Sequence, residues 1–222
     1  MMPTAREGLL DAAYAALRNR PWAGVRMVDV AAAAGVSRQT LYNEFGSKEG
    51  LAQALVRREV DGYLGGVDRA LGAAERAGAD PAGRLAAVGA WTLRSARANP
   101  LVRAVLTGCW SERLPVPVRP GRLPAPRPGD AEAAVDRRMM APVESPTEVL
   151  DKVCDRVVAA LGQEWQGPGL AAACEEFTRV ALSYVVAPAV EKEGRDGAEA
   201  GAGLERLAGR LVSGRRPTAE GR

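Results

Sequence analysis

The 222-residue sequence has no histidine and no isoleucine, only three cysteines, and lysine only at positions 48, 152 and 192. Without histidine, a His-dependent catalytic triad, a haem ligand and the usual zinc-binding sets fall away. Cys109, Cys154 and Cys174 are odd in number, far apart and free of any C-x-x-C pair. That spacing builds no disulfide framework and suits a reducing compartment, so a cytoplasmic location is expected. All three are read as small hydrophobes on apolar helix faces. No apolar run reaches the length of a membrane span, and the first twenty residues lack the apolar core of a signal peptide. No metal site, no cofactor and no membrane partner are expected. Paired carboxylates and nucleophile-base combinations are also missing, so the chain does not read as an enzyme.

What is present is mostly helix. The formal charge of +3 leans toward nucleic acid, but so small a value decides little, and the distribution of charge has to carry the argument. Arginine far exceeds lysine while alanine, glycine and proline abound, which is the texture of a high-GC genome, so arginine count alone is weak evidence. Periodicity predicts helices over about 4–19, 28–34 and 37–43, then a long one from Ser47 through Leu71. Asp80-Pro81 and Asn99-Pro100 each pair an N-cap with proline at the first helical position, opening two more. Eight of the fifteen prolines lie between Leu114 and Pro146, and the reading there is a loop or disordered excursion. Ser145-Pro146-Thr147-Glu148 is a capping box that restarts the helical pattern. Further helices are expected near 169–186 and 198–213, followed by a frayed basic tail. The fold class is all-α, with about nine helices.

The informative stretch is A-G-V-S-R-Q-T-L-Y-N-E-F-G-S-K, residues 34–48. Gly35 suits a tight turn after one short helix, and Ser37 suits the N-cap of the next. Leu41 and Phe45 fall on the inner face, with polar residues outward. This is a helix-turn-helix order, whose second helix enters the DNA major groove. Arg38 and Gln39 stand at the exposed start of that helix, and these side chains make bidentate pairs with guanine and adenine respectively. Thr40, Tyr42 and Asn43 carry donors of the kind that bind phosphate oxygens. Lys48 adds a cation at a helix N-terminus that itself favours anions.

The string V-D-V-A-A-A-A-G-V-S-R-Q-T-L-Y-N-E-F-G-S-K-E-G-L, residues 28–51, preceded by one amphipathic helix and followed by a helical body, resembles the TetR family of transcriptional regulators. The resemblance implies a DNA-binding domain over 1–50 and a helical ligand-binding and dimerisation domain over 51–222, with the proline-rich loop at 114–146. It further implies base reading by Arg38, Gln39 and Tyr42, and phosphate contacts by Ser37, Thr40, Asn43 and Lys48. Two positions depart from the family pattern. Arg26-Met27 stand where a capping hydroxyl is common, and Arg26 is expected to substitute electrostatically. Glu44 stands where histidine is common, and a carboxylate there must turn away, pair with an arginine or accept from a cytosine amino group.

In the body, Trp91, Trp110 and Phe177, with Arg94 and Val157, are candidates for an effector pocket, although large aromatics at helical spacing are more often core. Val180, Tyr184, Leu204, Leu207 and Leu211, on the last two helices, are candidates for a dimer interface in the manner of a four-helix bundle. The expected partners are a double-stranded DNA operator with palindromic halves, a small-molecule effector and a second copy of the chain, with repression relieved by the effector. The alternative is an architectural DNA-binding protein without effector, marked by low sequence preference and a steep salt dependence.

Overall fold

The computed structural model describes residues 4–116, 143–165, 169–187 and 196–213. Nine α-helices and no strand occur among the described residues. They are α1 (Ala5–Asn19), α2 (Met27–Ala33), α3 (Arg38–Phe45), α4 (Lys48–Arg76), α5 (Pro81–Ala98), α6 (Pro100–Thr107), α7 (Pro146–Leu161), α8 (Leu170–Val186) and α9 (Asp196–Val212), with a 3-10 turn at Trp22–Gly24. Most of the proline-rich loop, residues 117–142, and the tail beyond residue 213 lie outside the described residues. The chain divides into two compact units, one of residues 1–60 with 109–144 and one of 61–108 with 145–222. The division falls inside α4.

In the first unit each helix begins and ends for a local reason. Thr4 caps α1 with a complete capping box: its hydroxyl accepts from the Glu7 N–H, and the Glu7 carboxylate accepts from the Thr4 N–H. Pro21 and the 3-10 turn follow its end. α2 starts at Arg26 without a capping side chain. Gly35, at φ 69°, makes the left-handed turn that only glycine adopts cheaply. The Ser37 hydroxyl then accepts from the Thr40 N–H at 3.0 Å and starts α3. Leu9, Ala13, Leu41, Leu51 and Leu55 are fully buried, Val30 and Phe45 nearly so. Burial of the leucine, valine and phenylalanine side chains among these stabilises by roughly 1.5–3 kcal/mol each relative to exposure, and that apolar seam holds α1, α2, α3 and the start of α4 together.

The second unit is built around α5, against which α6, α8 and α9 pack. Asp80 and Asn99 cap α5 and α6, with proline at the first helical position in both, and the Ser145–Glu148 capping box opens α7. Leu85, Val88, Val153, Val157, Phe177 and Leu204 form the core. A buried polar thread crosses it: Tyr63 Oη lies 3.0 Å from Thr92 Oγ1, and the Thr92 hydroxyl donates to Val88 O at 2.9 Å. Arg84, only 2% exposed, donates to Ala160 O in the last turn of α7 and to Glu164, with Glu75 3.7 Å away. A cation at a helix C-terminus is favoured by the helix dipole, and these acceptors offset the desolvation of a buried guanidinium.

Candidate nucleic-acid interface

Helix α3 has two faces set by its spacing. Leu41 and Phe45, four residues apart, are buried, whereas Arg38, Gln39, Tyr42 and Asn43 are exposed. Tyr42 retains 40% of its surface, unusual for an aromatic residue with a core available beside it. The outer side chains are ordered among themselves. Gln39 Nε2 donates to Asn43 Oδ1 at 2.8 Å, one turn along the helix. That bond leaves the Gln39 carbonyl and a second N–H for an adenine edge. The Ser37 and Thr40 hydroxyls lie 2.8 Å apart at the helix N-terminus, where the free backbone N–H groups favour an anion.

Lys48 is half-buried rather than fully extended into solvent. Its ammonium donates to Ala23 O at 3.1 Å and lies 5.5 Å from the centre of the Trp22 ring. Two of its three donors stay free, so the same cation that braces the 3-10 turn retains capacity for a phosphate. The Trp22 backbone N–H donates to Arg113 O at 2.9 Å, which ties the segment after α6 to that turn. Arg26 is exposed at the N-cap of α2 and makes no capping bond. Nearby, Arg20 pairs with Asp29 at 3.1 Å, which keeps the α2 carboxylate neutralised.

Glu44 pairs with an arginine, one of the outcomes the sequence left open. The Arg6 guanidinium, on the first turn of α1, donates to Glu44 O at 3.1 Å and to Glu44 Oε2 at 3.4 Å, and stacks 4.6 Å from the Phe45 ring centre. Sequence reasoning missed Arg6, Trp22 and Arg113. Arg6 and Glu44 are 38 residues apart, and no periodic or capping pattern connects them.

The body candidates are dispersed over different environments. Val157 and Phe177 are each 1% exposed, within the core. Trp91 is half-buried with its indole N–H donating to Tyr63 O at 3.0 Å, and Arg94 is exposed. Trp110 is half-buried and belongs to the first unit. Leu204 and Leu207 are buried within the protomer, at 1% and 8% exposure, while Val180, Tyr184 and Leu211 are half-buried. An open groove of about 580 Å³ is lined by Tyr184, Gly203, Arg206, Gly209, Arg210 and Ser213. Cys109 departs from the expected apolar position. Gly108, at φ 70°, ends α6 one residue earlier, so Cys109 lies beyond the helix and is exposed. Cys154 and Cys174 do pack inward, and burial raises both thiols above the ordinary value, Cys174 to about 12. Among the described residues there is no cluster of metal-ligating side chains and no helix long and apolar enough to cross a membrane.

Residues 9–55 match the family of bacterial regulatory proteins described as the tetR family. The HTH-type transcriptional regulator AlkX of Mycobacterium tuberculosis (strain ATCC 25618 / H37Rv) is 47% identical over 68 residues, which are 31% of this chain and 32% of that protein. The alignment therefore spans about a third of that relative's length. The whole fold is similar to the TetR family repressor AlkX of Dietzia sp. strain DQ12-45-1b, a protein implicated in biodegradation of n-alkanes, with a TM-score of 0.51 and 24% identity over 93% of this chain and 97% of that one. It is also similar to a TetR/AcrR family regulator of Thermobifida fusca YX-ER1, with a TM-score of 0.52 and 19% identity over 95% and 98% of the two chains.

Proposed function

We infer, from an N-terminal domain that belongs to the TetR family of bacterial regulatory proteins, that this chain is a cytoplasmic transcriptional repressor. It binds a palindromic operator as a homodimer and is released by a small-molecule effector. The family is one of DNA-binding regulators, not of enzymes. The observation that carries the reading is the polarity of α3. Its inner residues Leu41 and Phe45 are buried, and its outer residues Arg38, Gln39, Tyr42 and Asn43 are exposed beside a serine-capped helix N-terminus. Arg38, Gln39 and Tyr42 read base edges. Ser37, Thr40, Asn43 and Lys48, with Arg26, hold phosphates.

On this reading residues 1–50 are the DNA-binding head and 51–222 the regulatory body. Dimerisation uses the outer faces of α8 and α9. Val180, Tyr184 and Leu211 retain surface there, while the groove beside Gly203 and Gly209 leaves room for a partner helix. A twofold dimer presents two heads to half-sites about one helical turn apart or somewhat more. An effector shifts the population only by its differential affinity for the operator-binding and released forms.

The test is selection of duplexes from a random library by the full-length protein at physiological salt. Recovery of one palindrome, preferred over random DNA by a factor on the order of 10³ or more, supports the repressor. Uniform binding with a steep salt slope would favour the architectural alternative. Within the selected operator, Arg38→Ala should relax base preference, whereas Lys48→Ala should weaken all sequences alike.

A further inference from the structure

We propose that Arg6 is a positioning residue for DNA binding, which neutralises Glu44 and thereby keeps a carboxylate from opposing the phosphate contacts on the same flank of α3. The inference rests on the DNA-binding reading above and extends it to a residue of α1.

On a helix, residues four apart stand one above the other about 6 Å apart. Glu44 is therefore the axial neighbour of Thr40. Thr40 shares a 2.8 Å hydroxyl contact with Ser37 at the N-terminus of α3, the part of the helix best suited to an anion. An unpaired carboxylate one turn from that point repels the phosphate that Ser37 and Thr40 would hold. Glu44 is half-buried and its side chain is 37% exposed, so neither complete burial nor distance removes its field.

Arg6 acts on that field in three ways. Its guanidinium donates to Oε2 at 3.4 Å, which opposes the negative charge. The same nitrogen donates to the Glu44 carbonyl at 3.1 Å, which engages a backbone acceptor near the C-terminus of α3, where a cation is favoured. The guanidinium carbon Cζ lies 4.6 Å from the centre of the buried Phe45 ring, and this cation–π contact limits how far the arginine can swing. The pair is 45% and 37% exposed, and surface pairs of this kind contribute little to folding stability. Beside a polyanion the same charge has a larger consequence, because its removal both deletes a cation and uncovers an anion.

The experiment measures operator affinity of the full-length protein by fluorescence anisotropy across a salt series, together with thermal unfolding, for Arg6→Ala, Arg6→Lys, Glu44→Gln and the double variant. Arg6→Ala should weaken binding about tenfold or more at low salt, with less effect at high salt and little change in Tm. Arg6→Lys should recover part of the loss, since it restores charge without the planar fork. Glu44→Gln alone should stay within about threefold of the parent, because its charge is already neutralised, and the double variant should also return to within about threefold, because without the Glu44 charge Arg6 has nothing to neutralise. A double variant as weak as Arg6→Ala would overturn the proposal and make Arg6 a direct phosphate ligand. A loss of affinity matched by an equal fall in Tm would overturn it in favour of a purely structural clasp. If the parent itself binds no duplex, the DNA-binding reading fails first. If the parent selects an operator and the two substitutions are merely additive, only this inference fails.

Discussion

Gly66 of α4 lies directly beneath the indole of Trp91 on α5. A Cβ built on Gly66 would stand 2.0 Å from Trp91 Cζ2 and 2.6 Å from Nε1. The ring is held there by its own hydrogen bond to Tyr63 O, one turn earlier on α4. Glycine inside a helix ordinarily costs about 1 kcal/mol relative to alanine, and here that cost permits two helices to approach across an aromatic plane.

Gly66→Ala should accordingly destabilise the protein by about 1–3 kcal/mol, despite the better helix propensity of alanine. Chemical denaturation read by circular dichroism checks this, with Trp91 fluorescence reporting ring displacement. An unchanged or raised midpoint would show that the indole yields at no cost.

A second glycine meets a harder obstacle. A Cβ at Gly50 would stand 2.0 Å from the carbonyl oxygen of Phe45, at the C-terminus of α3. No side-chain rotation relieves a backbone contact, so Gly50→Ala should cost about 2 kcal/mol or more. The cost should be local to α3 and the start of α4. Amide exchange should be faster over residues 38–51 while α7 and α8 keep their protection, and operator binding should fall with it.

Ser37 allows capping to be separated from the proposed phosphate contact. Ser37→Ala removes the acceptor for the Thr40 N–H and should cost about 1 kcal/mol. Ser37→Asp should keep the cap, because aspartate is an equally good N-cap. Its charge should nevertheless weaken DNA binding at every sequence. Equal affinity of the aspartate variant and the parent would remove Ser37 from the phosphate contacts.

Alkaline pH should unfold the second unit early. Burial pushes the Tyr63 phenol up from 10.0 to about 12, partly offset by its hydrogen bond to Thr92, and pushes the Cys174 thiol up from 9.0 to about 12. In both cases the folded state holds its proton more tightly than the unfolded chain. The associated stability is complete below about pH 9 and is lost as pH rises through about 10 toward 12. Urea melts across that range should show a declining midpoint, and Tyr63→Phe should flatten part of the decline. A midpoint independent of pH up to about 12 would contradict the burial argument.

Thiol labelling gives a second reading of the same interior. Cys109 is exposed, Cys154 half-buried and Cys174 fully buried. Iodoacetamide followed by peptide mass spectrometry should modify Cys109 first, Cys154 slowly and Cys174 only after unfolding. Early labelling of Cys174 would mean that α7 and α8 separate in the native state.

The helices and the outward residues of α3 were legible from the chain alone, because the relevant signals act within four residues. The Ser145–Glu148 capping box, the Asp80-Pro81 and Asn99-Pro100 starts, and the Gly35 turn all form as their spacing predicts. The 3.6-residue period likewise put Leu41 and Phe45 inside and Arg38, Gln39 and Asn43 outside. Tertiary structure alone decided what lies further apart along the chain. It joined Arg6 to Glu44 across 38 residues, and Lys48 to the Ala23 carbonyl across 25. It also buried Leu204 and Leu207 inside the protomer while leaving Leu211 half-exposed on the same apolar stripe. Periodicity identifies an apolar face. Which neighbour covers that face, and which carboxylate finds which guanidinium, depends on how the helices pack.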